Sequence, residues 1–421
     1  MTVQTNTADF VVIGAGILGL TIANRLQSEY PQAKIVVVEK EEQVGEHASG
    51  RNSGVLHSGI YYPPNSLKAK FCAQGAKAML AYCQQEQLSF HQIGKVIVPT
   101  RETDLDTIQL LHQRGLSNGV KVETINERQL KELEPATRTA TGNALFVPET
   151  AVVDPKAIMK HLHASLAARG IAFEFGERCN HIDVQKRYVD LNSKRIAYGH
   201  LINTAGLYAD KIAQTCGIRG KYTMLPFKGI YYEMAPTASL KINHLIYPVP
   251  DMNVPFLGVH FTKTVHDKIY VGPTAVPALG REQYKGLKGA KLAETASTMY
   301  HLVRQYRLNN QGFRSYAHNE IGRFLKHKFV NAAKELVPSL KAHDLVISEK
   351  VGIRAQLLDV QNRQLVMDFL TEQTANETHV LNAVSPAFTS SFSFSEYVVQ
   401  LIQHKLENRP AQTLKEEYEL N

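Results

Sequence analysis

The chain has 421 residues, of which 44% are hydrophobic and 20% charged, and its formal net charge at pH 7 is +8. The apolar fraction is ordinary for a globular protein, so a sizeable core is feasible, and the length allows two or three domains. No apolar run approaches the roughly 20 residues that span a bilayer, which argues against a transmembrane helix. No block of lysine or arginine stands out, so the positive charge indicates a solvated basic surface rather than a nucleic-acid partner, although it also suits an anionic substrate or a membrane surface.

The four cysteines are widely spaced. Cys72, Cys83, Cys179 and Cys216 form no Cys-x-x-Cys pair, which argues against a zinc site and a dithiol redox motif. So few cysteines in a long chain are typical of a reduced intracellular protein. The N-terminal stretch lacks the charged and apolar regions of a signal peptide. We therefore expect a cytoplasmic protein without a metal site, and peripheral contact with the inner face of the cell membrane stays open.

The start of the chain predicts a β-α-β unit. Residues 9–13 (DFVVI) are typical of a buried strand, a helix follows at about 17–29, and 34–39 (KIVVVE) is a second strand. Such a unit is the smallest piece of a parallel sheet. It indicates the α/β class.

Later segments continue the alternation of predicted helices and strands, until a stretch of a different composition begins at about residue 226. The dipeptide Asp154-Pro155 opens a helix, because Asp is a good N-cap and Pro suits the first helical position. The stretch 226–273 is rich in aromatic residues and divided by Pro and Gly, which is typical of antiparallel strands. The other predicted elements are helices at 66–90, from Tyr208, at 290–306 and at 328–336, strands at 171–175 and 200–204, and strands with a last helix over 344–407.

A glycine fingerprint, Gly14-x-Gly16-x-x-Gly19, lies between the first strand and its helix. Gly14 permits the tight turn, Gly16 lets a pyrophosphate approach the backbone, and Gly19 lets helix and strand pack closely. The helix N-terminus offers free N–H groups to the phosphates. Glu39 ends the second strand, where an acid accepts hydrogen bonds from the adenosine ribose. These features together predict a dinucleotide site.

The fingerprint alone leaves NAD and FAD open. An NAD dehydrogenase needs this one site, whereas a flavoenzyme linked to a pyridine nucleotide usually carries a second fingerprint, and the chain has none. The polar segment that follows the second strand favours FAD over NAD. It begins at Gly45 (GEHASGRNSGVLHSGIYYPPNSLKAKFC) and is dense in Gly and Ser, which suits a chain passing along a large cofactor.

This segment resembles the corresponding loop of flavoproteins in the D-amino acid oxidase and glycine oxidase superfamily, and more narrowly that of the L-2-hydroxyglutarate dehydrogenase/oxidase family. Four later stretches extend the resemblance nearly end to end: NTAGLYADKIA (203–213), IYPVPDMNVPFLGVHFT (246–262), VGIRAQLLD (351–359) and NAVSPAFTSSFS (382–393). Phe388 departs from the small residue expected there, and residues 281–330 match only loosely. The resemblance implies FAD-dependent oxidation of L-2-hydroxyglutarate to 2-oxoglutarate by hydride transfer.

The resemblance also implies a fold. We expect an α/β protein with a Rossmann-like FAD-binding domain built on a parallel sheet and an antiparallel-sheet substrate domain. The first comprises residues 1–90, 145–215 and 340–421, and the second comprises 91–144 and 216–339. The expected cofactor-binding residues are Gly14, Ala15, Gly16, Ile17, Gly19, Glu39, Lys40, Ser49, Gly50, Asn52, Ser53, Gly54, Val55, Thr204, Ala205, Gly206, Gly352, Ser385, Pro386, Ala387, Thr389 and Ser390. Residues 385–390 are expected to begin the last helix.

The expected catalytic residues follow from the chemistry. Oxidising a hydroxy acid requires a clamp for the carboxylate and a base for the hydroxyl proton. Arg354 is the expected clamp, because it follows Gly352 in a segment that, by the resemblance, returns over the flavin, and because arginine forks onto a carboxylate and stays charged. His57 and His260 are the candidate bases, and the sequence does not choose between them. Candidates for the second carboxylate are Lys228 and either Tyr61 or Tyr62.

Two points remain open in the sequence. Without a second nucleotide site, the electron acceptor is a quinone, oxygen or an electron-transfer protein. The alternative substrate is an amine such as glycine, sarcosine or a D-amino acid. Residues 395–407 have apolar side chains at helical spacing, and core packing is the favoured use over membrane contact.

Overall fold

The computed structural model describes residues 5–252, 257–286, 288–323, 325–409 and 418. Residues 253–256 of the quoted stretch 246–262 lie outside this part. The strands are β1 (Thr5–Ile13), β2 (Ile35–Val38), β3 (Val55–Leu56), β4 (Phe90–Gln92), β5 (Lys95–Val98), β6 (Glu123–Asn126), β7 (Asn143–Val147), β8 (Ala151–Val153), β9 (Ala172–Glu174), β10 (His181–Asp183), β11 (Tyr188–Asp190), β12 (Arg195–Asn203), β13 (Tyr222–Met234), β14 (Leu245–Pro248), β15 (His260–Lys263), β16 (Ile269–Gly272), β17 (Val276–Pro277), β18 (Leu345–Asp359), β19 (Gln364–Leu365), β20 (Leu370–Gln373) and β21 (Glu377–Asn382). The helices are α1 (Ile17–Glu29), α2 (Leu67–Gln85), α3 (Leu105–Ser117), α4 (Glu127–Leu133), α5 (Pro155–Ala168), α6 (Ala209–Thr215), α7 (Leu292–Leu308), α8 (Phe313–Gly322), α9 (Lys326–Leu336) and α10 (Ser391–Leu406).

The first sheet contains the predicted β-α-β unit. Its strand order is β10-β11-β12-β1-β2-β9, with β21 also pairing with β12. The strands β12, β1, β2 and β9 run parallel, as does β21 beside β12. The four residues of β2 are all buried, because helices cover a parallel sheet on its faces. The predicted α/β fold with a parallel sheet is confirmed.

Within the described residues, the second sheet has ten strands and is mainly antiparallel, as the short aromatic-rich segments of 226–273 predicted. Its order is β19-β18-β13-β16-β15-β14-β5-β7-β6, with β17 on β13. The long strands β13 and β18 pair along most of their length, with Gly229 opposite Gly352. The exception to antiparallel pairing is β5, which runs parallel to β14.

The position of β18 differs from the expected division of the chain. Residues from 340 onward were assigned to the FAD-binding domain, yet β18 pairs with β13 and so belongs to the second sheet. The sequence predicts strands within 344–407, but the partner of each strand depends on the path of the chain through space. The division into two domains otherwise stays a prediction.

Two helix predictions differ in their bounds, and three helices were not predicted. The helix predicted over 66–90 ends at Gln85, since Gln87 takes a φ of 54° and Phe90 starts β4. The last helix begins at Ser391, because residues 385–390 form turns. The sequence analysis did not identify α3, α4 and α8.

The last helix packs in the core, as the sequence favoured. Phe394, Val398 and Ile402 of α10 are fully buried. They belong to the same hydrophobic cluster as Leu20 and Ile22 of α1. Among the described residues, no helix combines the length and the apolar character needed to cross a bilayer.

Candidate active site

A cavity of about 900 Å3 lies where the chain leaves the carboxyl ends of β1, β2 and β12. Gly14, Glu39 and Thr204 line it at that edge, and it extends to Tyr231 and His260 of the second sheet. Parallel sheets bind ligands outside the carboxyl ends of their strands. The cavity therefore has the expected place for a cofactor that reaches toward a substrate.

The fingerprint turn is packed tightly against β12. Gly14 has a φ of 104°, and a Cβ there would lie 2.7 Å from the Thr204 carbonyl oxygen. A Cβ on Gly19 would overlap the Gly14 carbonyl oxygen. A Cβ on Gly16 would lie 3.1 Å from the Ser49 hydroxyl. Gly14 and Gly16 thus leave a side-chain-free surface at the start of α1, where a diphosphate binds, and Gly19 lets the helix pack closely behind it.

Polar side chains surround this turn. The Ala15 N–H donates to Glu39 Oε2 at 2.9 Å, and the Ile17 N–H donates to Ser49 Oγ at 2.9 Å. Lys40 lies on the cavity wall and its Nζ pairs with Glu282 at 2.6 Å. The N–H groups at the N-terminus of α1 therefore donate to oxygen atoms, and phosphate groups present such acceptors.

Most of the predicted cofactor residues lie on the cavity wall. They are Gly14, Ala15, Gly16, Ile17, Glu39, Lys40, Ser49, Asn52, Ser53, Val55, Thr204, Ala205, Gly206, Gly352, Ser385, Pro386, Ala387 and Thr389. Phe388, the departure from the family pattern, also lies on the wall beside them. Thr389 joins two parts of the wall, because its Oγ1 accepts from the His57 N–H at 3.1 Å and donates to the Val55 carbonyl at 3.3 Å.

Four predicted cofactor residues do not line the cavity. Gly19, Gly50 and Gly54 each face backbone at the position of a Cβ: the carbonyl oxygens of Gly14, Gly45 and Val153 respectively. Ser390 is fully buried at the start of α10. These residues permit close packing behind the wall instead of forming it.

The two candidate bases lie at the end of the cavity near the second sheet. His260 is 5% exposed, and its ring stacks on Tyr247 with 4.0 Å between ring centroids. His260 Nδ1 lies 2.8 Å from the Gly258 carbonyl oxygen, which only accepts, so Nδ1 carries the proton of the neutral ring. His57 Nε2 lies 3.3 Å from Ser385 Oγ.

Burial controls the charge of these groups. Burial is the largest cause that lowers the pKa of His57 to about 3, and the nearby Lys95 and His260 contribute in the same direction. Burial likewise lowers the pKa of His260 to about 4, with Arg354 and Lys95 acting in the same direction and the Gly258 carbonyl opposing them. Both rings are therefore neutral near pH 7 and able to accept a proton.

Arg354 and the two tyrosines expected to bind substrate also line the cavity. Arg354 lies on β18 and its Nη1 donates to the Thr274 carbonyl at 3.4 Å. Burial raises the pKa of Tyr61 and of Tyr62 well above the usual value, so both phenols remain hydrogen-bond donors. An arginine, two neutral imidazoles and two phenols thus meet in one place.

Lys228 is the predicted substrate residue that the structure does not bring to the wall. Its neighbours Gly229 and Tyr231 on β13 do line the cavity. Alternate side chains of a strand point to opposite faces, so Lys228 points away from it. The face of a strand to which a given residue points depends on the register of that strand in its sheet, which the sequence motif alone does not determine.

The sequence analysis missed several polar groups around the histidines. Lys68, Tyr231 and Tyr247 line the cavity, and Lys95 lies fully buried behind it. The sequence held a sign of the importance of Lys95. It is the first residue of the apolar run KVIV, which is typical of a buried strand, and a lysine is almost never fully buried unless it is paired.

Comparison with known proteins places the chain in a family. The family model described as "FAD dependent oxidoreductase" matches residues 9–401. A protein named L-2-hydroxyglutarate dehydrogenase from Indibacter alkaliphilus is 37% identical over 400 residues, covering 93% of this chain and 97% of that protein. The chain belongs to the L-2-hydroxyglutarate dehydrogenase family of FAD-dependent oxidoreductases.

Other members of the L-2-hydroxyglutarate dehydrogenase family match over similar lengths. The Escherichia coli K12 protein is 32% identical, covering 97% of this chain and 96% of its own. The human protein, named L-2-hydroxyglutarate dehydrogenase, mitochondrial, is 34% identical, covering 96% of this chain and 90% of its own.

Solved structures with this fold are more distant in sequence. L-alpha-glycerophosphate oxidase from Mycoplasma pneumoniae, solved with FAD bound, has a TM-score of 0.74 at 21% identity and covers 94% of this chain and 95% of its own. Glycine oxidase from Geobacillus kaustophilus has a TM-score of 0.70 at 14% identity, with 96% of both chains covered. These likenesses show the fold.

FAD is the cofactor of this oxidoreductase. The residues that line the cavity suit FAD. The side-chain-free turn lies at the N-terminus of α1, and the wall continues from there to His57 and His260. A long dinucleotide needs such a continuous path. The predicted FAD-dependent enzyme class is thereby confirmed.

Proposed function

We propose that this protein oxidises L-2-hydroxyglutarate to 2-oxoglutarate. The observation that carries the proposal is the 31–37% identity, over nearly the whole chain, with proteins named L-2-hydroxyglutarate dehydrogenase. The site supports it, since Arg354 suits a carboxylate and two neutral histidines suit a hydroxyl proton. Amine oxidation is the less supported alternative, because glycine oxidase shares only 14% identity.

The proposed roles divide the cavity in two. The predicted cofactor residues on the wall hold FAD, with the turn at Gly14 and Gly16 receiving the diphosphate. Arg354 binds the carboxylate next to the reacting carbon through two hydrogen bonds, which fixes the orientation of the substrate. Tyr61 and Tyr62 donate to the remaining oxygens. FAD, when bound, supplies the two-electron acceptor that the oxidation requires.

His260 is the proposed acceptor of the hydroxyl proton. The Gly258 carbonyl holds the proton on Nδ1, so the lone pair of the neutral ring is on Nε2. Stacking on Tyr247 limits rotation of the ring. His57 is the second candidate, but its Nε2 is within 3.3 Å of Ser385 Oγ, so this nitrogen already has a partner.

Anaerobic titration of the purified holoenzyme tests the substrate. We expect L-2-hydroxyglutarate to bleach the flavin absorbance, while the D enantiomer, glycine and sarcosine leave it unchanged. Bleaching by glycine or sarcosine without bleaching by L-2-hydroxyglutarate would favour the alternative and overturn the proposal.

We also propose that the electrons pass to a quinone in a membrane and that α7 provides the contact. The exposed side of α7 carries Leu292, which is 89% exposed, together with Met299, Tyr300 and Val303. Spacings of 7, 8 and 11 residues place them on one face of the helix. Basic residues flank this face: Lys288, Lys291, Arg304 and Arg307. An apolar stripe with basic neighbours suits an anionic lipid surface.

Vesicle sedimentation tests this contact. We expect the wild-type protein to sediment with anionic lipid vesicles and much less with neutral ones. The triple variant L292E/M299E/V303E is expected to bind at least about tenfold more weakly, because each buried apolar side chain contributes roughly 1.5–3 kcal/mol. The control is Leu116→Glu on α3, where the leucine is 58% exposed. Equal sedimentation of the triple variant and the wild type would contradict the role of α7.

A further inference from the structure

We propose that Lys95 is the second cation of substrate recognition, whose buried ammonium lies behind Tyr61 and matches the second carboxylate of a five-carbon diacid. This inference rests on the proposed function, because only a dicarboxylate needs a second positive charge. Lys95 acts through Tyr61, so it is a positioning residue that sets specificity.

Lys95 is the first residue of β5 and is fully buried. Its Nζ lies 4.7 Å from the centroid of the Tyr61 ring and 5.5 Å from that of Tyr247. Both rings form part of the cavity wall. The ammonium is therefore one aromatic ring away from the space that a substrate occupies, and an aromatic face stabilises a cation without neutralising it.

The register of the second sheet explains why Lys95 faces the cavity. Lys95 lies beside Leu245 of β14, and Ile97 lies beside Tyr247. Side chains two residues apart on a strand share a face, so Lys95 and Tyr247 are on the same face. Ile246 pairs with Phe261 of β15, which places His260 opposite Tyr247 on that face too.

Lys95 differs from the two other described lysines whose pKa burial lowers to about 8. Asp368 opposes that effect at Lys68, and Asp154 does so at Lys350. At Lys95 only the Cys72 thiol opposes burial, and the pKa of that thiol is raised to about 12, so it is uncharged at pH 7. Lys95 Nζ has no hydrogen-bond partner among the described residues.

An unpaired buried cation is costly, and such groups concentrate at functional sites. With a pKa of about 8, Lys95 is still mostly protonated at pH 7. The phenol of Tyr61 is also buried without a partner among the described residues, and it stays protonated. A carboxylate that accepts from the Tyr61 hydroxyl provides the missing partner for the phenol and the missing counter-charge for Lys95.

Ligand binding by the holoenzyme tests this assignment without turnover. Glutarate is the dianionic probe and pentanoate the monoanionic one, and calorimetry with flavin absorbance changes gives the dissociation constants. The variants are Lys95→Met, Lys95→Arg and, as a matched control, Lys350→Met. Lys350 is a suitable control because its ammonium also lies over two tyrosine rings, those of Tyr231 and Tyr270, at 5.7 and 4.6 Å.

We expect Lys95→Met to bind glutarate at least about tenfold more weakly, as when a charged hydrogen-bonding group loses its counter-charge. Pentanoate affinity is expected to change by less than about twofold, since one carboxylate already has Arg354. Lys95→Arg keeps the charge and retains the preference for glutarate. Lys350→Met is expected to match the wild type, and the melting temperature of Lys95→Met is expected not to fall.

Four outcomes would overturn the assignment: unchanged glutarate affinity in Lys95→Met, equal loss for both probes, loss of preference in Lys95→Arg, or the same loss in Lys350→Met. If Lys95→Met does not fold, Tyr61→Phe replaces it, and an unchanged preference for glutarate there contradicts the proposal. A wild-type protein that shows no preference for glutarate overturns the proposed function itself, which separates the two failures.

Discussion

The Gly19→Ala variant is expected to be isolated nearly colourless. A Cβ at this position overlaps the backbone carbonyl oxygen of Gly14, and backbone cannot move aside as a flexible side chain does. Relief requires α1 to shift away from the turn, which removes the N–H groups from the diphosphate. Overpacking of this kind costs about 3 kcal/mol or more, which corresponds to about a hundredfold in FAD affinity.

The measurement is the flavin content of the purified protein, followed by FAD titration of the apoprotein. Gly322→Ala is the control, because a Cβ there lies 3.3 Å from the flexible end of Lys328 and meets no backbone. Circular dichroism reports whether the variants fold. A fully yellow Gly19→Ala protein with wild-type affinity would show that the turn does not hold the cofactor.

Replacing His260 with asparagine is expected to lower the rate constant of flavin reduction about a thousandfold, within the range that general-base groups contribute. FAD content is expected to stay normal, since His260 lies on β15 and not in the turn. His57→Asn is expected to lose less than about tenfold if His260 is the base. Stopped-flow reduction by L-2-hydroxyglutarate measures both, and a larger loss in His57→Asn would assign the proton to His57.

The pH dependence provides an independent check on the histidines. Because burial lowers the pKa of His260 to about 4, the free enzyme keeps the neutral base well below pH 7. We therefore expect kcat/KM to be nearly constant from pH 7 down to about 5.5. An ordinary histidine with a pKa of about 6.5 would lose about tenfold over that range. An acid limb centred near 6.5 would contradict the buried, neutral base.

The sequence predicted those parts of the site that depend on local spacing. The turn at Gly14, the acid at Glu39 and the loop through Val55 follow each other along the chain, and their residue types and spacing form a motif that can be recognised without knowing the distant segments that contact them. Each of them lies on the cavity wall.

Features that depend on strand pairing could not be predicted from residue spacing along the chain. Lys228 was expected to bind substrate and points away, while Lys95, separated from it by 133 positions in the sequence, lies behind Tyr61 on β5, a strand that pairs in parallel with β14 and antiparallel with β7. The sequence also did not show that β18 joins β13. Register and partner are set by how distant segments fold together, which spacing along the chain does not record.

The wall of the cavity is assembled from segments as far apart in the sequence as Gly14, Tyr231 and Thr389, so a molecule bound there contacts widely separated parts of the chain at once. Any molecule that binds only the native state raises the free energy of unfolding by thermodynamic linkage. Flavin supply in the cell is therefore expected to govern the lifetime of this chain: when riboflavin is scarce, the apoprotein opens more often and proteases remove it faster.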